Sequence, residues 1–162
     1  MSEIIIQADD PRAADVMELL AVHLAFAREV TPPEDVHALD VDGLDTADVS
    51  LFSARRAGEL LAVGALRHLD ANHAEIKSMH TAAAARGQGA GRMMLDHLVA
   101  VARQRSYPRL SLETGTMDGF AAARSLYAGY GFEVCEPFGQ YHLKAGSVCM
   151  TLWLDGTSES RD

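Results

Sequence analysis

The chain has 162 residues, 48% of them hydrophobic and 23% charged, with a formal net charge of −9. That length is enough to bury a full core in one domain, taken here as residues 1–154 followed by a polar, frayed tail at 155–162. The acidic balance argues against a nucleic-acid partner, which needs a basic patch, and no apolar run reaches the roughly 18 residues of a membrane-crossing helix. Two cysteines, Cys135 and Cys149, make no disulfide framework and read as buried thiols in a reducing cytoplasm. No secretory leader pattern and no repeat of 20–50 residues is visible.

In chain order, Glu3 to Ala8 holds the β-branched run Ile4-Ile5-Ile6 and reads as a first strand. Asp10-Pro11 is a helix opening, with Asp10 as N-cap, and Val16, Leu19, Leu20, His23, Leu24 and Ala27 share one helical face. Thr31-Pro32-Pro33 ends that helix. The segment from Pro33 to Asp48 is acidic and irregular, with room for a short helix, and reads as a solvated connector or a substrate-facing lid. Val49 to Arg55 and Leu60 to Leu69 are strands joined by a turn at Arg56-Ala57-Gly58-Glu59, and the second is apolar enough to be buried on both faces. Ala74 to Thr81 is a fourth strand, so strands 2, 3 and 4 form an antiparallel meander. Met94, Leu95, Leu98, Val101 and Ala102 mark a long helix, and Arg109 to Thr114 alternates as a fifth strand, parallel to the fourth across the helical crossover. A further helix, which Asp118 could cap, carries Phe120, Ala123, Leu126, Tyr127 and Tyr130 and stops at Gly131. Phe132 to Phe138 and Val148 to Leu154 complete about seven strands. The fold class is a mixed α/β sheet with helices on both faces.

The turn Arg86-Gly87-Gln88-Gly89-Ala90-Gly91 lies between the fourth strand and the long helix. Glycines bring backbone N–H groups close to an anion, and the unpaired amides and positive dipole end of a helix start favour phosphate. A dinucleotide Gly-x-Gly-x-x-Gly pattern is not met, since the sixth position is Arg92 counted from Gly87 and Met94 counted from Gly89. No Gly-Lys pair exists to make a P-loop. The pattern Arg/Gln-x-x-Gly-x-Gly/Ala is met by Arg86, Gly89 and Gly91. A second block, Ala123-Arg124-Ser125-Leu126-Tyr127-Ala128-Gly129-Tyr130-Gly131-Phe132, has the form Ala-x-x-Leu-Tyr-x-x-x-Gly-Phe.

Those two blocks, in this order of elements, resemble the GNAT N-acetyltransferase superfamily, and with Ser111-Leu112-Glu113-Thr114-Gly115 and Ser147-Val148-Cys149-Met150 the chain looks most like its small bacterial acetyltransferases. The resemblance implies an enzyme that moves an acetyl group from acetyl-CoA to a primary amine of a small molecule by direct attack in a ternary complex. It implies that the amides from Gly87 through Gln88, Gly89, Ala90 and Gly91 to Arg92, beside Arg86, hold the CoA pyrophosphate. Met79, His80 and Thr81 would run beside the pantetheine, and Tyr127 would act as general acid to the departing thiolate. Two departures touch the cofactor contacts. Phe120 stands where many members carry an Asn, and Ala82 to Ala85 replaces a Pro-containing approach.

Glu75 matches a position where some members carry a catalytic Glu, and it is the expected base; a strand-edge pair with Lys77 is the plainer reading. Glu113 is the runner-up, and otherwise a partner for its own loop. His37, Tyr141 and His142 are expected to line the acceptor pocket from their loops. No His-x-x-x-His or Cys-x-x-Cys spacing supports a metal, and no Gly-x-Ser-x-Gly elbow supports a hydrolase. Two other functions remain beside the leading one: acetylation of a protein lysine or N-terminus, and a non-catalytic acyl-CoA-binding sensor. A homodimer is an expectation from family analogy alone.

Overall fold

The computed structural model describes residues 3–31, 33 and 39–154. Seven strands form one sheet in the order β1-β2-β3-β4-β5-β7-β6. They are β1 (Ile4–Ala8), β2 (Val49–Arg56), β3 (Glu59–Asp70), β4 (His73–Thr81), β5 (Arg109–Gly115), β6 (Glu133–Cys135) and β7 (Ser147–Trp153). The helices are α1 (Ala14–Val30), α2 (Val41–Leu44), α3 (Ala90–Gln104) and α4 (Ala121–Tyr130). All neighbouring strands are antiparallel except β4 and β5. Among the described residues, no helix is long and apolar enough to cross a membrane.

The two faces of the sheet are covered differently. On one, the α3 stripe of Met94, Leu95, Leu98 and Val99 packs on Ala62, Leu66, Ala74, Ile76, Leu110 and Leu112. Full burial of each such leucine contributes roughly 2 kcal/mol. On the other, Val16, Leu19 and Leu20 of α1 and Leu44 of α2 cover Leu51, Val63 and Ala65. Beyond β3 this second face turns polar, because strand alternation sends Glu75, Lys77, Ser111 and Thr151 to it. The chain between β6 and β7 folds over those groups through Phe138 and Tyr141.

Several boundaries differ from expectation. Asp10 does not cap α1; its carboxylate takes the Arg12 N–H and its carbonyl the Ala13 N–H, so Pro11 sits in a turn and the helix starts at Ala14. Asp118 does not cap α4 either, since a short 3-10 turn at Asp118–Phe120 intervenes and no side chain caps the helix. The sixth strand is only Glu133–Cys135, because the residues after it leave the sheet edge to cover the polar face. Cys135 is half-buried rather than buried, on that same edge.

Arg55 fastens α1 to the sheet. Its guanidinium reaches Asp9 Oδ2 at 3.0 Å and Asp15 Oδ2 at 2.6 Å, tying the β1–α1 turn and the first helical turn to β2. Burial pushes the Asp9 carboxyl up, but hydrogen bonds from the Ser53 hydroxyl, the Asp10 amide and Arg55 more than reverse this and leave it below its usual 3.8. A carboxylate with a depressed folded-state pKa stabilises the fold above its unfolded value, and that contribution disappears as the pH falls through the folded one. Asp9→Asn is therefore expected to lower unfolding free energy at neutral pH by about 1–3 kcal/mol and to flatten its fall below about pH 4. Urea melts of both proteins at pH 7 and pH 3 measure this.

Candidate active site

β4 and β5 pair only at Ala74–Leu110, Glu75–Ser111 and Ile76–Leu112. Beyond Ile76 and Leu112 the two strands continue, to Thr81 and Gly115, without pairing with each other. Three local features hold them apart. In β4, Lys77 pairs with Ala65 but His80 pairs with Val63, so one residue is extra and the strand bulges at Ser78. Ser78 takes a φ of 54°, unusual for a residue with a Cβ. Beside β5, the Phe120 ring fills the place a side chain at Gly115 would need, an added Cβ lying 2.4 Å from it, so only glycine fits there. Arg124 of α4 then donates to the carbonyls of Gly115 at 2.7 Å and Met117 at 2.9 Å, locking α4 against the end of β5.

The gap is a cavity of about 100 Å³. Lys77, Ser78 and Met79 line it from β4, Glu113 from β5, Tyr127 from α4 and His23 from α1. Tyr127 is held by the helix end that follows, where Gly131 and Phe132 donate back to Ala128 and Tyr127 at 3.1 and 3.0 Å. Burial raises its hydroxyl to about 12. The Ser78 hydroxyl is buried without a hydrogen-bond partner, a polar atom at the bulge that a polar ligand would satisfy. Glu113 accepts from the Ser147 hydroxyl at 2.6 Å.

Glu75 lies deeper on the same strand, 2% exposed, and is not part of the cavity wall. The Tyr141 hydroxyl donates to its Oε2, and Lys77 Nζ stands 3.6 Å from that oxygen. Lys77 also donates to the Tyr141 hydroxyl at 2.8 Å. Burial, then the charge of Glu75, pushes the Tyr141 phenol far up, so it remains a donor. Tyr141 and Glu75, 66 residues apart, are thus brought by the fold into contact with each other and with Lys77.

At the mouth, His23 and His80 face each other with their Nδ1 atoms 3.1 Å apart. Burial lowers His23 to about 4, helped by His80 and Lys77, and burial also lowers His80, so both imidazoles are neutral at pH 7. His23 was visible only as a member of the apolar stripe of α1, with no motif to single it out. Phe120 lines the cavity and meets Phe26 edge-on. His142 is exposed on the β6–β7 loop and does not reach the cavity, and His37 lies outside the described residues.

The glycine turn sits at the far end of the same gap. Gly87 and Gly89 have φ of 79° and 87°, and space where a side chain would point is open at both. Gly89 caps α3, so the amides of Ala90, Gly91 and Arg92 belong to a first turn with no intrahelical acceptor. Gly91 packs near the Thr81 hydroxyl, which joins the helix start to the end of β4. Arg86 and Gln88 are exposed, Gln88 accepting from Arg56 at 2.6 Å. Among the described residues, no group of three metal-binding side chains comes together. A helix start open to an anion, an unpaired strand edge and a cavity with a buried phenol are suited to a long phosphate-bearing thioester.

Comparison with known proteins agrees with that arrangement. Residues 15–132 match the model of the Acetyltransferase (GNAT) family. An uncharacterized N-acetyltransferase of Bacillus subtilis, YsnE, is 42% identical over 146 residues, covering 90% of this chain and 97% of its own. The uncharacterized N-acetyltransferase YedL of Escherichia coli is 40% identical over 154 residues, covering 95% and 97%. Among solved structures, a Klebsiella pneumoniae protein assigned as an acyl-CoA N-acyltransferase superposes with a TM-score of 0.77 at 28% identity, covering 93% of this chain and 97% of that one. A GNAT family acetyltransferase of Elizabethkingia anophelis with acetyl-CoA bound shares the fold, with a TM-score of 0.70 at 21% identity over 93% of this chain and 98% of its own. The chain belongs to the Acetyltransferase (GNAT) family.

Proposed function

We propose that this protein acetylates a primary amine of a small molecule by direct attack on acetyl-CoA in a ternary complex. The observation that carries the reading is the meeting of the unpaired β4 and β5 edges, Glu113 and Tyr127 around one small cavity. In this reading the amides from Gly87 to Arg92 hold the pyrophosphate, and the β4 backbone at Met79 to Thr81 lies along the pantetheine. The thioester supplies an activated acetyl group at the inner end of the gap. The acceptor enters from the polar face, under the β6–β7 loop.

A lysine-like amine has a pKa of about 10.4 and arrives mostly protonated at neutral pH. Glu75 takes its proton through water, and Glu113, nearer the cavity, orients the ammonium. Tyr127 gives a proton to the departing sulfur. Free coenzyme thiols resemble Cys at roughly 8.5, well below a tyrosine held near 12, but the burial that raises the phenol raises a thiol in the same cavity too. A hydroxyl raised in this way stays protonated over the whole working range of pH.

CoA release measured with a panel of amines tests the assignment. Tyr127→Phe is expected to cut kcat by roughly 10²-fold while acetyl-CoA still binds; an unchanged kcat rejects its role. Glu75→Gln is expected to lose most activity at low pH, with the loss shrinking toward the pKa of the amine, where free amine needs no base. A pH–rate profile identical to the parent protein removes Glu75 from the mechanism, and the same profile for Glu113→Gln then decides whether that residue takes its place.

A further inference from the structure

Of the chain's 14 Lys and Arg residues, only Lys77 and Lys144 are lysines. One of these two lysines lines the cavity, and its amine reaches the carboxylate just behind the wall. Lys77 is 8% exposed and lines the cavity beside Met79, Glu113 and Tyr127. Its Nζ lies 3.6 Å from Glu75 Oε2, the carboxylate that the reading above makes the base for an acceptor amine. Stability does not explain this placement, because a buried ion pair rarely outperforms apolar side chains of similar volume. Charge does not explain it either, since an arginine would supply the cation without being able to lose it, and arginine serves at most other basic positions. Lysine differs in becoming a nucleophile once it gives up a proton.

We propose that Lys77 is a site of self-acetylation, accepting the acetyl group of acetyl-CoA bound in its own cleft. This rests on the reading that the thioester enters the gap between β4 and β5. The Lys77 ammonium passes one proton to Glu75. The freed Nζ lone pair attacks the thioester carbon, a C–N bond forms, and the C–S bond breaks with its electron pair leaving on sulfur. The second proton lost from nitrogen goes to that sulfur by way of the Tyr127 hydroxyl, and Glu75 releases its proton to water. The products are CoA and Nε-acetyl-Lys77. The modified side chain is neutral, so Glu75 loses its buried cation and faces an incoming ammonium with its charge uncompensated by Lys77.

The test uses the full chain with isotopically labelled acetyl-CoA and no added amine, read by intact mass and peptide mapping. The expected result is one acetyl group per chain, on Lys77 and not on Lys144. Lys77→Arg should abolish it while still binding acetyl-CoA in calorimetry, which also shows that this variant is folded. Glu75→Gln should slow it by roughly 10²-fold at equal acetyl-CoA occupancy. Nε-acetyl-Lys77 already complete in protein purified from cells, but reduced in Glu75→Gln protein from the same cells, supports the proposal equally. Acetyl-CoA binding with no label on Lys77, label on both lysines alike, or labelling indifferent to Glu75→Gln would overturn it. CoA release with the amine panel in the same samples separates the readings. Turnover without Lys77 label overturns self-acetylation alone, and failure of acetyl-CoA to bind overturns both.

Discussion

The early parting of β4 from β5 is the constraint on which the rest of the molecule depends. Three residue pairs hold the strands together, and after Ile76 and Leu112 their inward edges are left to other partners. An unpaired strand edge inside a protein leaves backbone donors and acceptors to be satisfied by something else. The chain has committed several residues to keeping the gap: the extra residue at Ser78, the Phe120 ring against Gly115, and the Arg124 clamp on the β5 terminus. One acts on β4 and two on the end of β5, so the opening is built into the fold.

The second constraint is the unlike character of the two faces. The α3 face is a dry core in which leucine, methionine and valine side chains interlock. The opposite face is dry only as far as α1 and α2 reach, and beyond them it carries hydrogen-bonded polar groups such as His73–Ser111 at 2.7 Å and Ser111–Thr151 at 2.6 Å. Burying such groups is tolerable because they satisfy one another. The consequence for chemistry is directional. On the proposed reading the coenzyme enters from the helix-start side, the ionisable groups lie on the other, and Tyr127 of α4 lines the cavity between them. Arg55 contributes from a distance by fixing α1, and with it His23, over the cavity.

Much of this was legible in the sequence because it rests on local rules. Period-2 and period-3.6 apolar patterns located most elements, Gly131 announced a helix end, and the Arg86-to-Gly91 spacing together with the Leu126-Tyr127 block pointed to one family. What stayed hidden depends on contacts between distant residues. The bulge at Ser78 follows from how β4 registers on β3, and nothing in Lys77-Ser78-Met79 announces it. Asp10-Pro11 reads as a helix cap, yet the Arg55 clamp on Asp9 and Asp15 favours a turn there instead. Phe132 to Phe138 looks like one strand because Phe132, Val134 and Phe138 fall at even spacing, until Phe138 is seen against His73. In the site, Tyr141 was named for its loop alone, and its bond to Glu75 spans 66 residues. His23 offered no signal at all, being one polar residue on a core-facing helix stripe.

The central claim is that acetyl-CoA lies along the gap, its diphosphate on the first amides of α3 and its thioester between the parted strands. Amide hydrogen exchange with and without acetyl-CoA tests it most directly. The account predicts slowed exchange confined to two stretches, Gly87 to Arg92 and Met79 to Thr81, with the paired segment Ala74 to Ile76 unchanged. Binding that leaves both stretches exchanging at their free rates, or that protects a surface away from them, would contradict it.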